Sequence, residues 1–117
     1  MAEIKMDAAR EVAIMEKAIY LYGTRQQEDV AIEEMAELTK AIMKLRRAES
    51  DTARDVAVAA IREELADVSI MLSQMELIYG DVSDIEEAKL VRLEKRLEDA
   101  AHDTMDKVVM PREASGV

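Results

Sequence analysis

The chain of 117 residues contains no cysteine, phenylalanine or tryptophan, one proline, three glycines and one histidine. Without cysteine there is no disulfide, no zinc–thiolate site and no thiol nucleophile. With three tyrosines as its whole aromatic content, the core has to be assembled from Leu, Ile, Val, Ala and nine Met. The glycines are scattered and no Gly-Lys-Ser/Thr sequence occurs, which removes a phosphate-cradling P-loop from consideration. A di-iron carboxylate bundle needs Glu-x-x-His on two helices. His102, the single histidine, lies beyond the acidic segments and cannot supply that pattern.

The longest purely apolar run, residues 56–61, is far too short to span a bilayer, and Glu3 and Asp7 interrupt any signal-like start. The expectation is therefore a soluble, cytoplasmic protein with no membrane partner. Acidic residues outnumber basic ones by 26 to 16, for a net charge of −10. Nucleic-acid binding relies on clustered cations that displace counterions, so no nucleic-acid partner is expected.

What is abundant is Ala, Glu, Leu, Met, Lys and Arg, the composition of an all-α protein. Ile4, Ala8, Val12, Met15, Ile19 and Tyr22 follow steps of three and four and predict a first helix ending at Gly23. Thr24-Arg25-Gln26-Gln27 has the form of a capping box and predicts a second helix from about Arg25 to Ala48. The Ser50-Asp51-Thr52 turn opens a third helix, which Gly80 stops after Tyr79. Ser83-Asp84-Ile85-Glu86 forms a second capping box, ahead of a fourth helix with Leu90, Leu93, Leu97 and Ala101 on one stripe. One domain over residues 1–107 is expected, with 108–117 as a flexible tail.

Within the two central helices one acidic pattern occurs twice. Glu33-Glu34-Met35-Ala36-Glu37-Leu38 and Glu63-Glu64-Leu65-Ala66-Asp67-Val68 are thirty residues apart, and their midpoint falls near the Ser50 turn. A helical hairpin therefore returns the second copy to the height of the first. Carboxylates three residues apart share a helix face. On the second helix Ala31, Met35, Leu38, Ile42 and Leu45 define the expected apolar arc, with Glu34 on its flank; on the third, Ile61, Leu65, Val68, Leu72 and Met75 do so, with Glu64 and Asp67 beside it. Acidic pairs arise readily by chance in so acidic a chain, where most serve a solvated face. The duplication and the inward aim of Glu34 and Glu64 set these apart, because carboxylates held at an apolar interface are costly unless paired or bound to a metal. Glu34, Glu37, Glu64 and Asp67 are the expected ligands of a hard divalent cation, Mg²⁺ with Mn²⁺ as a substitute.

Glu33-Glu34-Met35-Ala36-Glu37 followed by Glu64-Leu65-Ala66-Asp67 resembles the EExxE and ExxD signature of MazG-type all-α nucleoside triphosphate pyrophosphohydrolases. The resemblance extends loosely from Tyr22 to Leu97. It implies a four-helix MazG-like bundle completed by dimerisation or tetramerisation, with Glu34, Glu37, Glu64 and Asp67 as Mg²⁺ ligands. The implied reaction is Mg²⁺-dependent hydrolysis of a nucleoside triphosphate to the monophosphate and pyrophosphate, as in nucleotide-pool house-cleaning. Glu33 or Glu37 is the expected proton acceptor, and Lys40, Lys44, Lys89, Arg92 and Arg96 are the cations expected to meet phosphate. Ser73-Gln74 stands where many members carry an Asn near the nucleotide, which makes Gln74 a candidate substrate contact. The reading from another class is a non-catalytic helical oligomer or adaptor whose acidic rows serve solubility alone.

Overall fold

A computed structural model describes residues 5–107. Among them there are four helices and no strand: α1 (Ala8–Tyr22), α2 (Thr24–Arg46), α3 (Asp51–Tyr79) and α4 (Ser83–Lys107). The all-α expectation holds. Ile4 and the tail from residue 108 lie outside the described residues. None of the described helices is long and apolar enough to cross a membrane. The chain falls into two units, one up to Gly80 that holds α1, α2 and α3, the other from Asp81 with α4.

Local signals account for the helix boundaries. Asp7 caps α1 by accepting the Arg10 amide at 2.8 Å, and Ser50 caps α3 by accepting the Ala53 amide at 3.0 Å. Gly23 and Gly80 stop α1 and α3 at φ 90° and 118°, where any side chain would be strained, and their amides donate to Ile19 and Glu76 carbonyls.

Neither expected capping box forms. α2 starts on Gly23, whose carbonyl accepts the Gln27 amide at 3.1 Å, and no side chain caps it. It ends at Arg46, short of Ala48. Ser83 lies inside α4 and donates its hydroxyl to the Asp81 carboxylate at 2.6 and 2.7 Å, while the Glu86 amide bonds the Val82 carbonyl. In both places a backbone carbonyl was already positioned to take the amide that the hydroxyl would have taken.

The first unit is organised by an antiparallel hairpin of α2 and α3, its direction set by the pairing of Gln27 with Gln74 at one level and Glu34 with Glu64 and Asp67 further along. Along α2 and the turn after it, Gln27, Ala31, Glu34, Leu38, Ala41, Leu45 and Ala48 are buried or half-buried; along α3 the same holds for Ala57, Ile61, Glu64, Val68, Met71, Met75 and Ile78. Both series alternate steps of four and three, the 3.5-residue repeat of helices that pack knobs into holes. Alanines at 31, 41 and 57 are among the most buried residues. They keep the two backbones close.

Of the expected arcs, Ala31, Leu38, Leu45, Ile61, Val68 and Met75 lie in the seam. Met35, Ile42, Leu65 and Leu72 are all exposed, and their places in the contact are taken by Glu34, Ala41, Glu64 and Met71. Only these alternate positions move one residue toward the N-terminus, because small and polar residues read as surface beside large apolar neighbours that read as core. α1 packs more lightly on both partners through Met15, Ala18 and Ile19, and Ala8, Val12 and Tyr22 of its expected stripe are exposed.

Candidate metal centre

Because Glu34 and Glu64 occupy seam positions of facing helices, their side chains are directed toward each other rather than toward solvent. Asp67, one turn after Glu64, stands at the edge of the seam on the same side. The three offer carboxylate oxygens that all lie within 4.8 Å of one another, with Glu34 and Glu64 half-buried and Asp67 exposed.

This arrangement is electrostatically unfavourable as it stands. Partial burial pushes the Glu34 carboxyl above its ordinary value, and the charges of Asp67, Glu64 and Glu37, with a side-chain hydrogen bond to Asp67, push it further. Burial likewise raises Glu64, reinforced by the charges of Asp67, Glu37 and Glu63 and by its own bond to Asp67. A divalent cation would cancel the repulsion.

The donor set fits such an ion. Oxygens on opposite sides of one Mg²⁺ stand about 4.2 Å apart, given bonds of about 2.1 Å, and Ca²⁺ or Mn²⁺ tolerates a wider span. Oxygens already inside 4.8 Å reach that geometry by small side-chain rotations. Three carboxylates and no nitrogen or sulfur donor select a hard, oxygen-seeking cation.

The expected fourth ligand, Glu37, is exposed and stands outside the triad, yet its charge acts on both Glu34 and Glu64. It lines a depression of about 250 Å³ beside the triad, together with Lys40, Ala41 and Lys44 of α2 and Ala60, Glu63 and Glu64 of α3. Lys40 and Lys44 thus share a recess with the acids. Glu33 is exposed and does not line it. Lys89, Arg92 and Arg96 are exposed residues of α4, in the other unit.

Gln74 is placed differently from its expected contact with substrate. It is only 4 % exposed, and its Oε1 accepts a 2.7 Å bond from Nε2 of Gln27, itself 5 % exposed. This one bond ties the two amides together inside the seam. Gln27 also fits the expected Thr24 capping box, and nothing in its local sequence distinguishes the two uses. A second cross-hairpin bond, from the Tyr79 hydroxyl to the Glu28 carboxylate, also has no local signature. No protein-family model, no curated protein and no solved structure matches this chain.

Proposed function

We propose that this chain is a Mg²⁺-dependent, cytoplasmic nucleoside triphosphate pyrophosphohydrolase of the MazG type. The observation that carries the reading is the convergence of Glu34, Glu64 and Asp67 from two helices onto one point of a seam whose other buried polar groups are the paired amides of Gln27 and Gln74. A stabilising core has no use for carboxylates there. A cation site does.

Glu34, Glu64 and Asp67 would hold Mg²⁺, with Glu37 beside them in reach of the same substrate. Bound there, the ion supplies positive charge to the phosphoryl oxygens and acidifies a water. Water then attacks the α-phosphorus, the bond to the bridging α,β-oxygen breaks, and pyrophosphate leaves. Glu37 accepts the water proton, a role that Glu33 is less well sited for, since it stands outside the recess. Lys40 and Lys44 neutralise charge on the departing pyrophosphate. Gln74 is given no role in this scheme, because it is buried in the seam with its Oε1 held by Gln27.

The chain works as a homodimer or homotetramer. Met35 and Ile42 on α2 with Val58, Leu65 and Leu72 on α3 line one edge of the hairpin and are all exposed, an apolar surface that a second copy would cover. The adaptor reading shares this surface and differs only at the acids.

The test is a panel of ribo- and deoxynucleoside triphosphates incubated with Mg²⁺, scoring the products by phosphorus NMR, with Glu64→Gln as control. Equal release of monophosphate and pyrophosphate, lost in the variant, is expected. Absence of turnover together with no effect of Mg²⁺ on melting would favour the adaptor.

A further inference from the structure

The recess beside the acidic triad has a direction. Glu64 belongs to both, and from Glu37 to Lys44 the recess follows α2 for about 10 Å, at about 1.5 Å per residue. Its α3 wall, Ala60, Glu63 and Glu64, lies on the Ser50 side of Asp67, so it runs from the triad toward the turn between the helices. Its volume of about 250 Å³ falls below the range of about 300–1,000 Å³ usual for small-molecule sites. That space suits a few phosphates rather than a whole nucleotide. Three carboxylates, those of Glu37, Glu63 and Glu64, face two ammonium groups there, so a bare phosphate is repelled and one carrying a divalent cation is not. Among the described residues neither Lys40 nor Lys44 pairs with a carboxylate, although three line the same recess. Helical side chains lean toward the N-terminus, so Lys40 lies over the turn of Glu37 and Lys44 over the turn of Lys40. The two cations are therefore ranked by distance from the triad, about 6 Å apart along the helix axis.

We propose that this recess reads the length of the phosphate chain: with the α-phosphate at the triad, Lys40 meets the β-phosphate and Lys44 the γ-phosphate, and the chain thereby selects nucleoside triphosphates over diphosphates. The proposal rests on the pyrophosphohydrolase reading and deepens it by giving each lysine its own phosphate. In either substrate water attacks the α-phosphorus, its proton passes to Glu37, and the bond to the bridging α,β-oxygen breaks. From a triphosphate the leaving group is pyrophosphate, whose charge falls on both ammonium groups. From a diphosphate it is orthophosphate, which reaches Lys40 and leaves Lys44 unused. The nucleoside stays outside the recess, so this discrimination does not depend on the base.

Two measurements on the full chain separate this inference from the reading beneath it. Calorimetric titration of inorganic pyrophosphate and orthophosphate, with and without Mg²⁺, tests the recess in the absence of any hydrolysis. Pyrophosphate should bind more tightly than orthophosphate and only with Mg²⁺ present; Lys44→Met should weaken it by about tenfold, and Lys44→Arg should restore most of the loss. Hydrolysis of a nucleoside triphosphate and the diphosphate of the same base then tests selection. The triphosphate should exceed the diphosphate by about tenfold or more in kcat/KM, and Lys44→Met should bring that ratio close to one. Lys40→Met should lower both rates, and Arg46→Met, an equal loss of charge on α2 outside the recess, should keep the ratio. Equal turnover of the two substrates, or a wild-type ratio in Lys44→Met, would overturn the proposal while leaving the pyrophosphohydrolase intact. Binding of pyrophosphate with Mg²⁺ that weakens in Lys44→Met, in a chain that cleaves neither nucleotide, would support the phosphate site and sink the reaction assigned to it. Absence of both binding and turnover would overturn the two together.

Discussion

The side-chain amides of Gln27 and Gln74 meet at 2.7 Å in the seam between α2 and α3, each almost wholly removed from water. A buried polar pair of this kind is stable only as a pair. Gln74→Ala should cost about 1–3 kcal/mol, the penalty of leaving the Gln27 donor unsatisfied. Replacing both by Leu should come close to neutral, since no orphan remains. Denaturant unfolding of the single and double variants measures the difference, and additive losses would show that the bond contributes nothing specific.

The raised carboxyls of Glu34 and Glu64 make metal-free stability depend on pH in a definite direction. In the folded chain both hold protons at pH values where the unfolded chain has released them, so between the ordinary value of 4.5 and the raised ones the folded state binds more protons. Stability then falls as pH rises through that window, and the loss is complete above it. Metal-free Glu64→Gln should accordingly be more stable than the wild type at pH 7 and show a shallower slope from pH 7 to pH 4.5. Melting curves in the presence of a chelator across this range check the sign; a variant less stable at pH 7 would contradict it.

Association through the apolar edge of the hairpin has a direct test. Leu65 and Leu72 are 51 % and 48 % exposed, so a charge at either is tolerated by the isolated chain and disfavoured only where a second copy covers it. Leu65→Glu with Leu72→Glu should reduce the sedimenting species to the 13.1 kDa monomer without loss of helical circular dichroism. An unchanged sedimentation coefficient would place the interface elsewhere.

The turn between the two acidic helices carries one side-chain cap. Ser50 accepts the Ala53 amide at the start of α3, and Ser50→Ala should cost about 1 kcal/mol of stability. Asp at the same position should restore it. A loss of similar size in Ser50→Asp would mean that the cap is not what the serine contributes.

Much of this molecule is legible in the sequence, because the helices are long and their ends carry strong local signals. Gly23, Ser50 and Gly80 each mark a boundary where the structure has one. The hairpin symmetry about Ser50 brings Glu34, Glu64 and Asp67 to a common point. Ala31, Leu38, Leu45, Ile61, Val68 and Met75 of the expected arcs lie in the seam, and what is less legible is which neighbour fills the alternate positions. Met35, Leu65 and Leu72 are the natural core on a helical wheel, yet Ala41, Met71 and two glutamates hold the seam. Periodicity records which residues share a face and leaves open which flank of that face meets the partner helix. The same limit hid Gln27 and Gln74, whose amides are unremarkable until a second helix places them opposite one another.

The claim on which the rest depends is that Glu34, Glu64 and Asp67 together bind one divalent cation. Titration of Mn²⁺ followed by electron paramagnetic resonance, with competition by Mg²⁺, measures it without reference to any substrate. One saturable site per chain, displaced by Mg²⁺ and lost in Glu34→Gln and in Glu64→Gln, is the predicted result. Binding that never saturates, or that survives unchanged in both variants, would contradict it.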